Sequence, residues 1–295
     1  MNFGQILTAM VTPFDHNEEI DFPATRNLIN YLINNGTEGL VVSGTTGESP
    51  TLTEEEKVQL FKFTVEVVNG RVPVIAGTGS YNTKASLELT KRATDAGVDG
   101  IMLVVPYYSK PSQEGMYQHF KAIAEATSLP IMLYNIPGRS AVNMTVDTVI
   151  RLSQISNIVS IKEASGNLDT MAEIISNTPE DFSLYSGDDG LTIPVLSIGG
   201  AGVVSVASHV IGNEMQVMIA KFNSGNVKEA ANDHRTLLPI MKALFAAPNP
   251  TPVKTALNLK GIPVGGVRLP MIPLTTEELN TLQNVLSSQL ETVSL

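Results

Sequence analysis

The sequence predicts a (β/α)8 TIM barrel with a C-terminal helical extension. Short apolar runs alternate with longer amphipathic stretches along the chain. Eight such pairs occupy about 220 residues, which suits a single barrel. The phosphate loop of the competing doubly wound sheet is missing: Gly77-Thr78-Gly79 lacks a third glycine, and no Walker A sequence occurs.

The candidate strands are Ile6–Val11, Gly39–Ser43, Val74–Gly77, Gly100–Val105, Ile131–Tyr134, Ile158–Lys162, Ser183–Ser186 and Gly202–Ser205. Several are almost continuous in Val, Ile and Leu, as strands covered on both faces should be. Thr53-Glu54-Glu55-Glu56 is a capping box that opens a helix towards Val68, and Thr275-Thr276-Glu277-Glu278 is a second. Gly70, Gly97 and Gly199-Gly200 fall where helices should stop before the next strand. We divide the chain into a barrel, 1–225, and a helical extension, 226–295. Pro248-Asn249-Pro250-Thr251-Pro252 reads as a stiff connector inside that extension.

Composition narrows the function. Of 295 residues, 43% are hydrophobic and 16% charged, too apolar for a disordered chain. The net charge of −10 and the scattered Lys and Arg argue against a general nucleic-acid binder. No cysteine is present, which removes disulfides, thiol nucleophiles and Cys-ligated metals. The start, Met1-Asn2-Phe3-Gly4-Gln5, has no basic segment followed by an apolar run, and no stretch is long enough to span a bilayer, so the cytoplasm is the expected location.

In a barrel, functional side chains belong at the C-terminal ends of the strands. Lys162 is the one lysine placed at such an end within an apolar run, Val159-Ser160-Ile161-Lys162. Alternation puts Val159 and Ile161 towards the helices, and Ser160 and Lys162 inside. Desolvation there favours a neutral amine, which can add to a carbonyl to form a Schiff base. An ion pair with Glu163, or a lysine snorkelling to solvent, accounts for the spacing equally well. Tyr134 ends the preceding strand, close enough for its phenol to exchange protons with that amine. Taken alone, it would be an ordinary packed tyrosine bonded to a backbone carbonyl.

Gly44-Thr45-Thr46-Gly47 suits anion binding, through a nest of N–H groups plus two hydroxyls, though a plain strand-to-helix turn has the same composition. Arg139, in the loop after Tyr134, can fork onto a carboxylate or sit in a surface ion pair. His16, His119, His209 and His234 are too dispersed for a metal-ligand motif, and no Gly-x-Ser-x-Gly elbow occurs. Spacing does not decide between packing and a site role for Tyr107-Tyr108.

Two long patterns resemble the signatures of the dihydrodipicolinate synthase / N-acetylneuraminate lyase family. The first is Gly39-Leu-Val-Val-Ser-Gly-Thr-Thr-Gly-Glu48-Ser49 with Glu56. The second is Tyr134-Asn-Ile-Pro-Gly-Arg139 followed by Val159-Ser-Ile-Lys162-Glu-Ala. Pro106-Tyr-Tyr108, Ser186-Gly-Asp-Asp189, Pro250-Thr-Pro-Val-Lys254 and Arg268-Leu-Pro270 extend the resemblance over nearly the whole chain.

The resemblance implies a lyase in which Lys162 forms a Schiff base with pyruvate. Tyr134, Thr46 and Tyr108 would relay protons, with Tyr108 supplied by a neighbouring subunit. Thr45 and Thr46 would hold the pyruvate carboxylate, and Arg139 the carboxylate of a second substrate, L-aspartate 4-semialdehyde. Gly187 and Val204 would shape the site through backbone groups. No redox or metal cofactor is implied, and the expected assembly is a homotetramer of two tight dimers. N-acetylneuraminate or 2-keto-3-deoxy sugar acid aldol chemistry is the close alternative; a barrel that binds keto acids without turnover is the distant one. Lysine-inhibited members carry polar His, Asn and Glu residues where this chain has Lys57, Tyr81 and Ala85, so weak or absent feedback by lysine is expected.

Overall fold

A computed structural model describes residues 3–293. Eight parallel strands close on themselves in chain order. They are β1 (Ile6–Ala9), β2 (Gly39–Val42), β3 (Val74–Gly77), β4 (Gly100–Val104), β5 (Ile131–Asn135), β6 (Ile158–Glu163), β7 (Ser183–Ser186) and β8 (Gly202–Ser205). The expected barrel is therefore present. The outer side chains of the strands bury into a helical ring, while the inner ones meet across the axis.

Leu7, Val41, Ile75, Met102, Met132, Tyr185 and Val204 form the inner cluster, and Phe3 packs into it from below. The remaining apolar strand residues, such as Ile6, Leu40, Ile101 and Ile161, join the larger layer between sheet and helices. The helix Glu54–Val68 starts at the anticipated capping box: Thr53 Oγ1 accepts from Glu56 N–H at 3.2 Å, and Glu56 returns a carboxylate to Thr53 N–H at 2.7 Å. It stops at Asn69 and Gly70, both with positive φ. The second box holds at Thr275 and Glu278, opening Thr276–Val293.

The strands differ from the expectation in three ways that matter for the site. β1 stops at Ala9, not Val11. Beyond it, the Val11 N–H donates to His209 Nε2 at 3.2 Å and the Thr12 hydroxyl to Gly47 O at 2.7 Å, so these residues join loops instead of a ladder. β5 and β6 each run one residue further, because Asn135 and Glu163 still pair in register. Both polar side chains are fully buried. The third difference corrects the placement of Val159. A register shift at the start of the β5–β6 ladder leaves it as an extra residue, and it packs against the inner cluster instead of the helices. Ser160 and Lys162 keep their inward phase, since they pair with the inward Met132 and Tyr134.

In the extension, the helix Val227–Ala243 packs on Ser208–Asn223 and on Thr276–Val293. Thr251–Leu259 lies against Ser208–Asn223 and Thr276–Val293. The segment between Pro248 and Arg268 reaches back to the loop that follows β2.

Candidate active site

β5 and β6 set the centre of the site. Tyr134 and Lys162 are register partners, so their side chains emerge on the same inner face. Lys162 Nζ stands 4.2 Å from the centroid of the Tyr134 ring. The lysine is only 7% exposed. Neither expected escape for its charge is realised. No carboxylate lies within ion-pair distance among the described residues, and the side chain does not snorkel to solvent. Glu163 turns the other way: its carboxylate accepts from Asn135 Nδ2 at 2.9 Å and from Ser165 N–H at 2.8 Å. Burial pushes the Glu163 carboxyl up, with those donors opposing.

Gly187 follows β7 and presses on the same lysine. A Cβ at this position would lie 3.1 Å from Lys162 Cε and 2.6 Å from Ala164 Cβ. Its N–H donates to Glu163 O at 2.8 Å, which fixes the backbone beside the amine. Val204, from β8, is buried in the inner cluster that also contains Tyr134.

A cavity of about 290 Å³ opens at this end of the barrel, and Tyr134, Thr45, Arg139, Lys57 and Tyr107 are on its wall. Tyr134 therefore faces both the amine and the cavity. Its hydroxyl makes no hydrogen bond among the described residues, so the backbone-carbonyl role considered for it is absent. Arg139 is exposed, on the short helix Pro137–Ser140, and likewise has no ion-pair partner among the described residues.

The two threonines separate. Thr45 lines the cavity, while Thr46 is buried and its Oγ1 accepts from Asn249 Nδ2 at 3.0 Å. Among the described residues, the N–H groups of Thr45, Thr46 and Gly47 have no acceptor. Successive unspent donors in a turn make a concave site for an anion. The turn is gripped from outside. Lys254, 2% exposed, donates to Glu48 Oε1 at 3.0 Å and to Thr12 O at 2.8 Å. Arg268 N–H donates to the other Glu48 oxygen at 3.0 Å. Burial pushes the Lys254 ammonium down to about 8, against the pull of Glu48. Among the described residues two lysines are buried, one paired and one not.

Tyr108 is outside its own chain's cavity. It has φ of 67° and is 90% exposed, whereas Tyr107 lies on the cavity wall and meets Tyr81 edge-on at 5.4 Å. Burial pushes the Tyr107 phenol up. Asn249 and Tyr107 are the site neighbours that sequence reasoning left unassigned. The only available signal for Asn249 was its place in a rigid Pro-rich run.

The model of the dihydrodipicolinate synthetase family matches residues 2–289. The chain belongs to that family. A 4-hydroxy-tetrahydrodipicolinate synthase of Oceanobacillus iheyensis is 65% identical over 287 residues, covering 97% of each chain. A crystal structure of a dihydrodipicolinate synthase from Bacillus anthracis is 64% identical, with a TM-score of 0.97 over 98% of this chain and 99% of that one. A lysine-bound structure of the corresponding protein from Cyanidioschyzon merolae is 48% identical, with a TM-score of 0.96 over 97% and 98%. For this family member, the barrel architecture and the matched relatives agree over nearly the full chain.

Proposed function

We propose that this protein is a 4-hydroxy-tetrahydrodipicolinate synthase, condensing pyruvate with L-aspartate 4-semialdehyde through a Schiff base on Lys162. The carrying observation is the buried, unpaired Lys162 amine 4.2 Å from the Tyr134 ring centroid. The pyruvate carboxylate sits in the donor-rich turn of Thr45 and Thr46, which orients the ketone towards Lys162.

Lys162 Nζ attacks the ketone carbon, and the carbinolamine loses its oxygen as water to give the iminium. Tyr134 accepts and returns the protons that these steps move. Loss of a methyl proton converts the iminium to an enamine. Its terminal carbon bonds to the aldehyde carbon of the second substrate, whose oxygen takes up a proton. Arg139 holds that substrate's carboxylate. The substrate's own amine then adds to the imine carbon, closes the ring and expels Lys162 as the free amine. The cycle needs no redox or metal cofactor. Tyr108, exposed beside the mouth, enters a neighbouring subunit's site in a homotetramer, and the enzyme works in the cytoplasm.

Reduction with borohydride in the presence of pyruvate tests this reading. One pyruvyl adduct per chain is expected on Lys162. An unlabelled wild type, or an equal adduct in Lys162→Ala, would reject it. Turnover with pyruvate and N-acetylmannosamine in preference to the semialdehyde would move the assignment to the sugar aldolases.

A further inference from the structure

Asn249 joins the C-terminal extension to the strand-end turn through a single buried bond. Its Nδ2 donates to Thr46 Oγ1 at 3.0 Å, and the two residues are 7% and 4% exposed. An amide nitrogen can only donate, whereas a hydroxyl can do both. Thr46 accepts this bond, so its own proton remains to be given elsewhere. Among the described residues that hydroxyl has no second partner. It stands next to the unspent N–H groups of Thr45, Thr46 and Gly47.

The geometry points to Asn249 as a positioning residue for the keto acid's carboxylate: by donating to Thr46 Oγ1 it leaves the Thr46 proton for the ligand, beside the unspent N–H groups of the turn. This inference rests on the carboxylate placement proposed above and deepens it. Polarity is the essential point. A hydroxyl offers a lone pair as readily as a proton, and a lone pair aimed at a carboxylate would repel it. Asn249 Oδ1 is buried without a partner. An inverted amide would present that oxygen to Thr46, draw the proton inwards and take one donor from the ligand. The two orientations predict opposite effects for a carboxylate at this position.

The test measures kcat and both KM values for wild type, Asn249→Ala, Asn249→Asp, Thr46→Val and the Asn249→Ala/Thr46→Val double variant. Each is also examined for thermal unfolding and for borohydride adduct at saturating pyruvate. Asn249→Asp, an isosteric swap of donor for acceptor, should raise the pyruvate KM about 100-fold, and Asn249→Ala about 10-fold. The semialdehyde KM should move by less than about twofold, because its carboxylate is held elsewhere. In the Thr46→Val background, Asn249→Ala should add less than about twofold, since the effect runs through the missing hydroxyl.

A wild-type pyruvate KM in Asn249→Asp, or an equal Asn249→Ala factor with and without the Thr46 hydroxyl, overturns the role of Asn249. So does an equal rise in both KM values, which marks a general structural defect. If wild type itself forms no pyruvyl adduct, the keto-acid reading fails and this inference fails with it. A wild-type adduct combined with an additive cycle removes only the assignment to Asn249.

Discussion

Tyr134 and Lys162 face each other across one rung of a parallel ladder, with Lys162 Nζ 4.2 Å from the ring centroid. The relationship is fixed by backbone pairing, so removal of the phenol oxygen should leave the lysine in place. Tyr134→Phe should keep its unfolding temperature but lose about 10²–10⁴-fold in kcat, the usual span for a general acid–base group. Stopped-flow turnover at wild-type rate would exclude a proton-transfer role.

Gly187 leaves room for the Lys162 side chain. In Gly187→Ala, the new methyl would meet Lys162 Cε at 3.1 Å and Ala164 Cβ at 2.6 Å unless they move. Displacement of the amine by a fraction of an ångström to an ångström should slow adduct formation about 100-fold. Single-turnover borohydride trapping reads this directly, and an unchanged trapping rate would show that the amine has slack.

Lys254 and Glu48 form an ion pair in which both side chains are 2% exposed. Removing one member leaves the other charged in a dry site. Lys254→Met should cost about 3–5 kcal/mol of stability, and a compensating Glu48→Gln should recover part of it. Urea denaturation of the two variants checks the expectation, which fails if the single substitution is neutral.

Lys57 lines the cavity mouth, and burial pushes its ammonium down while Glu54 and Glu56 oppose that shift. A second cation beside Lys57 meets a like charge, and at position 85, where the resemblance to lysine-inhibited members expects a carboxylate, this chain has Ala85. Half-inhibition by lysine is therefore expected only above about 1 mM, equivalent to binding weaker than roughly 4 kcal/mol. An inhibition curve centred well below that concentration would contradict the charge argument.

His209 is fully buried. Its Nδ1 donates to Val206 O at 2.8 Å, and its Nε2 accepts from Val11 N–H. Burial pushes its pKa down to about 4, so the neutral ring is the folded form. The unfolded chain binds the proton more readily, near pH 6.5. The contribution is therefore complete above pH 6.5 and is lost as pH falls towards 4, amounting to about 3 kcal/mol. A His209→Gln variant should show a flatter stability profile from pH 7 to 5, measured by denaturant midpoint; a slope equal to wild type would refute the proton count.

Much of this arrangement could be read from local sequence. Apolar runs marked the strands, and two-residue alternation put Lys162 on the inner face. One strand–helix repeat separated it from Tyr134. Other features depend on contacts between distant segments. The Val159 bulge arises from the register with β5, which no pattern within β6 reveals. Asn249 meets Thr46 across 203 positions, and Lys254 meets Glu48 across 206. Asn135 and Glu163 fell just past the expected strand ends, because an isolated sequence does not disclose that their buried polar groups satisfy each other. The resemblance implied a carboxylate role for both threonines and a relay role for Thr46 as well, whereas the turn sends Thr45 to the cavity and Thr46 to Asn249.

The grip of Lys254, Arg268 and Asn249 on one short turn bears on efforts to shrink the protein. Truncation after residue 225 would keep all eight strands and every residue of the lysine–tyrosine pair. It would also strip Glu48 of its counter-charge and release the Thr46 hydroxyl. A minimal catalyst built on this scaffold would first have to redesign that turn to stand unaided.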